Sequence, residues 1–140
     1  MSLDLSSLKK AILSLDALLR RIEDRDFFDA LDETIRNGLK AGVIQNFEFT
    51  YELCWKFMKR DLEINIGSTY VDGVNRKELF RIGAENHLIV DVTKWIQYHE
   101  LRNITSHTYE AEKADAVFSG AFRFIDDAKG LLAALERRND

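Results

Sequence analysis

Not one proline interrupts the 140 residues of this chain, where average usage would supply about seven. Proline breaks helices because it lacks a backbone donor and its ring clashes with the preceding turn, so its absence favours long uninterrupted helices. The apolar residues point the same way. Leu5, Leu8, Ile12, Leu15, Leu19 and Ile22 recur at steps of three and four, the stripe of a bundle helix that ends in the charged stretch Glu23 to Asp26. Leu31 to about Leu62 reads as a second, longer helix, with Gly38 and Gly42 near its start either weakening it or admitting a neighbour. No segment alternates as a strand does, and Leu88, Ile89 and Val90 are too short a run to form one.

On a helical wheel the second helix is apolar over most of its circumference. Leu39, Val43, Phe47, Tyr51, Cys54 and Met58 lie on one side, and Phe49, Leu53 and Phe57 on another. Gln45, Glu48, Glu52, Lys56 and Lys59 form a narrow polar stripe between them. Such a helix must be covered by more than one neighbour, as a central helix or as part of a subunit interface. The stretch from Gly67 to Asn75 is a loop. Asn75 with Glu78 forms an N-cap pair for a short third helix that Asn86 closes, and Asp91 caps a fourth. In that fourth helix Val92, Trp95, Ile96, Tyr98, Leu101 and Ile104 scatter around the wheel, which again predicts burial on two sides. From about Lys113, a last helix places Ala114, Val117, Phe118, Ala121, Phe124, Ile125, Ala128, Leu131, Leu132 and Leu135 on one broad arc. The expectation is an all-α fold: an antiparallel up-and-down bundle of about five helices in a single domain spanning residues 1–140.

Composition narrows the function classes. With 46% hydrophobic residues the chain can bury a core unaided. One cysteine, in the apolar setting Leu53-Cys54-Trp55, excludes a disulfide framework and any multi-cysteine zinc site. Three dispersed histidines, His87, His99 and His107, do not cluster as a metal centre does, so no metal and no cofactor is expected, and His87 and His99 read as structural. The amino terminus lacks the basic start and apolar run of a signal peptide, and no run approaches a membrane span, so the chain reads as soluble and cytoplasmic. A net charge of −4 means that the overall field does not attract nucleic acid, and any such binding must be local.

The most informative stretch is Arg102-Asn103-Ile104-Thr105-Ser106-His107-Thr108-Tyr109, where a mostly apolar helix turns densely polar. A guanidinium clamps a phosphate through two forked bonds, and an imidazole moves protons near neutral pH. Together they can support metal-free cleavage of a phosphodiester with the RNA 2′-hydroxyl as nucleophile. On a continuous helix, however, Arg102 and His107 point ~140° apart. They converge only if the helix ends or bends between them, or if a symmetry mate supplies the partner group. In the alternative reading Arg102 stacks on Trp95 or Tyr98 and His107 caps a helix. On spacing alone that reading is the commoner one, because short motifs match by chance. The Glu48, Glu52, Lys56 stripe is likewise open between a solvated face with weak ion pairs and a wall that lines a cleft or meets a partner.

Arg102 to His107 matches the R-x4-H signature of the HEPN superfamily. The run from Gly42 to Leu53 (GVIQNFEFTYEL), Trp55 with Lys56, and Arg102-Asn103 through His107-Thr108-Tyr109 closely resemble the HEPN family of nucleotidyltransferase substrate-binding proteins. The likeness runs over nearly the whole chain, with both blocks in order. It implies a bundle that forms a two-fold homodimer, and a separate minimal nucleotidyltransferase chain as partner in a toxin–antitoxin-like pair. It further implies that Arg102 holds a scissile phosphate, His107 serves as acid or base, and Asn103 orients or binds, in a metal-independent ribonuclease site at the dimer interface. Some relatives carry R-x4-H-x-Y and are silenced by adenylylation of the tyrosine, which matches Tyr109. The branch name implies a second function: a non-catalytic subunit that presents a nucleotide or other substrate to the transferase. The chain is not itself that transferase, whose fold needs Gly-Ser followed shortly by Asp-x-Asp. Gly67-Ser68 has no such sequel, and Asp24-Arg25-Asp26 lies on the wrong side of it.

Overall fold

A computed structural model describes residues 2–139. Among these residues six α-helices carry the fold: α1 (Ser6–Glu23), α2 (Arg25–Asp29), α3 (Glu33–Asn65), α4 (Arg76–Glu85), α5 (Val92–Asn103) and α6 (Ala111–Arg138). Two single 3-10 turns, Ser68–Tyr70 and Thr105–His107, complete it, and there is no strand among the described residues.

Local chemistry sets the helix ends. Asp32, Asn75 and Asp91 each accept a hydrogen bond from a backbone N–H of the first turn they open, at 2.9, 2.9 and 3.1 Å. The short α2 was not expected. Asp24, inside the charged stretch that ends α1, accepts from the Phe27 N–H at 3.2 Å and starts a new turn, whose Phe28 enters the core. Helix α6 starts at Ala111, two residues before the apolar arc first shows itself at Lys113.

Side-chain contacts fix the directions. Ser14 meets Asn46 and Ala11 meets Thr50, so α1 and α3 run antiparallel. Lys40 meets Asp115 and Asp61 meets Arg138, so α3 and α6 run parallel. Leu101 meets Gly120 while Tyr98 meets Asp127, so α5 runs against α6 and therefore against α3. Helix α3 is therefore central, with α1, α5 and α6 packed around it. The core joins Leu8, Ile12, Leu15 and Leu19 of α1 to Phe47, Tyr51, Cys54 and Met58 of α3 and to Phe124 and Leu131 of α6. Phe124 receives the edges of Phe47, Trp95 and Tyr98 at ring-centre distances of 5.0 to 5.9 Å. Burial pushes the Cys54 thiol pKa up, the behaviour of an inert core thiol. Where α5 crosses α6, a Cβ on Gly120 would fall 2.3 Å from a Leu101 methyl, so any larger residue there requires the Leu101 side chain to shift.

The two helices expected to need cover on two sides differ. Helix α5 buries Trp95 and Tyr98 and leaves none of its large apolar residues exposed. Helix α3 leaves Phe49 60% exposed and Ile35 also open. Of the two, α3 is the helix that keeps apolar surface uncovered. At the other end of α3, Asp61 is only 3% exposed. Arg138 closes on it through Nε (2.9 Å) and Nη2 (2.8 Å) and donates from Nη1 to the Asn86 carbonyl at 3.2 Å. This fork ties the end of α6 to α3 and to the α4–α5 junction. Among the described residues no helix is long and apolar enough to cross a membrane.

Candidate functional site

Helix α5 stops at Asn103, directly after Arg102. The buried Thr105 makes the stop: its hydroxyl donates to the Arg102 carbonyl at 2.8 Å and so satisfies one of the carbonyls a helix end leaves unpaired. The chain then tightens into the 3-10 turn Thr105–His107, with the His107 N–H donating to the Ile104 carbonyl at 2.9 Å. The helix therefore ends between Arg102 and His107, one of the arrangements under which their spacing allows the two to share a site. Among the described residues no hydrogen bond or ion pair joins their side chains. His107 is exposed, and its ring stands edge-on to Tyr109 at 6.2 Å; Tyr109 itself is 83% exposed. Asn103, the last residue of the helix, is exposed as well.

Arg102 turns toward α3. Its Nε donates to Glu52 Oε1 at 2.8 Å, Nη2 lies 3.8 Å from Glu48 Oε1, and Nη1 makes a long 3.5 Å contact with the Thr105 hydroxyl. The other Glu52 oxygen accepts from the Trp55 indole N–H at 2.9 Å. Both Glu52 oxygens are thus engaged, and the outer edge of the guanidinium keeps only weak contacts. This arrangement corrects two of the alternatives that spacing left open. Arg102 does not stack on Trp95 or Tyr98, whose rings are committed to each other and to Phe124. His107 does not cap α6, whose N-cap residue is Glu110. Nor do Glu48 and Glu52 pair along their own helix with Lys56, since both carboxylates face Arg102.

Glu48, Glu52 and Lys56 line a groove of about 920 Å³, with Ile44, Phe49 and Leu53 as its apolar part and Thr105 and Thr108 on the opposite wall. Arg102 is joined to this groove through Glu52 and Thr105. No cluster of three or more histidine, cysteine or acidic side chains positioned to share a metal ion occurs among the described residues.

Sequence reasoning set His99 aside as structural, yet it lies beside this site. Its Nδ1 is 2.9 Å from the Tyr51 hydroxyl. Burial, reinforced by the Arg76 and Arg102 guanidinium groups, lowers the His99 pKa below the usual value and outweighs the nearby Glu52. Burial also raises the Tyr51 phenol pKa well beyond its usual value, so the phenol keeps its proton. The signal was in the spacing: His99 precedes Arg102 by three residues and so shares its helix face. Arg76 had no such signal, because it comes from another helix.

Three comparisons place the chain among known proteins. Residues 3–137 match the family described as nucleotidyltransferase substrate binding protein like. A Haemophilus influenzae protein named Probable ribonuclease HepT is 40% identical over 138 residues, covering 98% of this chain and 94% of that one. A solved Haemophilus influenzae structure, described as the fold of a substrate binding domain of a nucleotidyltransferase, superposes with a TM-score of 0.91 at 39% identity, over 95% of this chain and 99% of that one. A crystal structure from Thermus thermophilus shares the fold, with a TM-score of 0.72 at 24% identity, over 91% of this chain and 98% of that one. With the match running almost end to end, and the same bundle found in its relatives, the chain belongs to the HEPN-like nucleotidyltransferase substrate-binding protein family.

Proposed function

We propose that the chain, as one HEPN-like domain, is the partner subunit of a separate minimal nucleotidyltransferase in a toxin–antitoxin-like pair, and that its homodimer cleaves RNA without a metal ion. One observation carries this reading: Arg102 is held through Nε with its outer edge only weakly engaged, and a helix end later His107 stands exposed beside Tyr109. The relative named as a ribonuclease supports it.

In the reaction, the outer guanidinium edge of Arg102 holds the non-bridging oxygens of the scissile phosphate. An imidazole takes the proton of the 2′-hydroxyl; its oxygen attacks phosphorus, and the bond to the 5′-oxygen breaks. A second imidazole gives that leaving oxygen a proton. A two-fold dimer supplies both imidazoles as the two copies of His107, and Asn103 binds alongside. The products are a 2′,3′-cyclic phosphate and a 5′-hydroxyl.

The exposed apolar surface on α3 supports the dimer. Phe49, exposed beside the groove, with Ile35 further along the helix, is the kind of uncovered apolar surface a second copy covers. Sedimentation equilibrium at micromolar concentration is expected to report about twice the 16.2 kDa chain mass. A monomer there contradicts the two-histidine site. Tyr109 offers its hydroxyl to the transferase, and an adenylyl group on it would set a charged phosphate and a bulky base next to His107.

A second reading, the non-catalytic subunit that presents a nucleotide or other substrate to the transferase, draws on one observation of its own. Glu48 and Glu52 both face Arg102, which weakens its pull on any anion. Growth and RNA integrity in cells separate the two. Without the transferase, wild type is expected to halt growth and degrade RNA, while His107→Ala is harmless. With the transferase, wild type is silenced and Tyr109→Phe stays toxic. If wild type and His107→Ala are equally harmless without the partner, the binding reading replaces the ribonuclease.

A further inference from the structure

Arg76 opens α4 and takes no part in the contacts around Arg102. Its guanidinium carbon lies 3.5 Å from the centre of the Trp55 ring, a flat stacking distance. Its Nε is buried without a hydrogen-bond partner, the one side-chain nitrogen or oxygen in that condition among the described residues. Glu52, which bridges Trp55 and Arg102, has spent both oxygens on them. None of the ion pairs among the described residues includes Arg76.

A partly buried guanidinium without a counter-anion is unfavourable, and stacking on an indole offsets only part of that penalty. An arriving anion reverses the balance, because the cation is already partly desolvated and held flat. Its neighbours suit the same ligand. The buried Tyr51 phenol, which keeps its proton, lies 2.9 Å from His99 Nδ1. With the phenol donating to Nδ1, a neutral imidazole carries its own proton on Nε2, as one more donor on the helix face it shares with Arg102.

We propose that Arg76, with His99 beside it, is a second phosphate subsite, which takes a backbone phosphate of single-stranded RNA flanking the one at Arg102. This assignment rests on the ribonuclease reading above. Continuity favours RNA over an acidic protein surface. Arg76, Trp55, Glu52 and Arg102 form one unbroken chain of contacts, so two guanidinium groups are linked through the same turn of α3, an arrangement that a polymer with regularly repeated phosphates rewards.

The test measures binding of a labelled mixed-sequence RNA oligomer across a range of salt concentrations, on a His107→Ala background that keeps the RNA intact. Adding Arg76→Gln is expected to weaken binding about tenfold. It should also lower the slope of log affinity against log salt by about 0.7, the share of one single-strand phosphate. Arg76→Lys keeps the charge without the fork, so its slope should match the parent while its affinity falls. The lysine variant also serves alone if the glutamine variant does not fold. An unchanged slope with Arg76→Gln, an equal loss of slope with Arg76→Lys, or unchanged affinity with Arg76→Lys overturns the subsite while leaving the ribonuclease reading intact. If the parent protein binds no RNA, both fall together.

Discussion

Replacing His107 with alanine is expected to lower RNA cleavage by about 10²–10⁴-fold, the usual contribution of a positioned acid or base. Affinity for RNA should hardly change, because a neutral imidazole adds little to the ground-state attraction of a phosphate. Arg102→Ala should damage both quantities, since it removes the charged clamp. The two variants therefore separate proton transfer from binding, and the measurement is single-turnover cleavage set beside equilibrium binding for each. Equal losses of cleavage and affinity in His107→Ala would remove it from the proton-transfer role. The structure makes the comparison clean. His107 is exposed on a 3-10 turn, its ring edge-on to the equally exposed Tyr109, whereas Arg102 is tied to Glu52.

The second large effect is on stability. Arg138→Ala strands the Asp61 carboxylate, which is almost completely buried and whose Oδ1 takes both the Nε hydrogen bond and the Nη2 ion pair of Arg138. Removing one partner of a buried pair leaves an uncompensated charge and is expected to cost about 3–5 kcal/mol. For a chain of this size that lowers the melting temperature on the order of ten degrees. The double variant Asp61→Leu with Arg138→Met should recover most of the loss, because no charge is then left unpaired. Urea unfolding of the three proteins measures it. If the single variant is as stable as wild type, the fork contributes little to joining α6 to α3.

The sequence carried the helices that periodicity can mark. The α1 stripe was legible because Leu8, Ile12, Leu15, Leu19 and Ile22 repeat over four turns, and all five are buried. Asn75 and Asp91 were legible as caps because their side chains act within three residues of themselves. Helix α2 was not, since five residues are too few to show a period and its Asp24 cap sits in a run of charges. The same division runs through the site. The helix end between Arg102 and His107 follows from local composition, but the meeting of Arg102 with Glu52, fifty residues apart in sequence, is a product of packing α5 against α3. Arg76 is the extreme case, brought to Trp55 from a third helix by the loop between α3 and α4. Spacing on one helix reports which residues share a face; it does not report which face of another helix they will meet.

The most direct test is the product of RNA cleavage by purified wild-type protein in the presence of EDTA, with His107→Ala prepared alongside. Cleavage that survives chelation, leaves 2′,3′-cyclic phosphate ends and is lost in His107→Ala is the predicted result. Cleavage that stops on chelation, or that His107→Ala retains at the wild-type rate, would contradict the account.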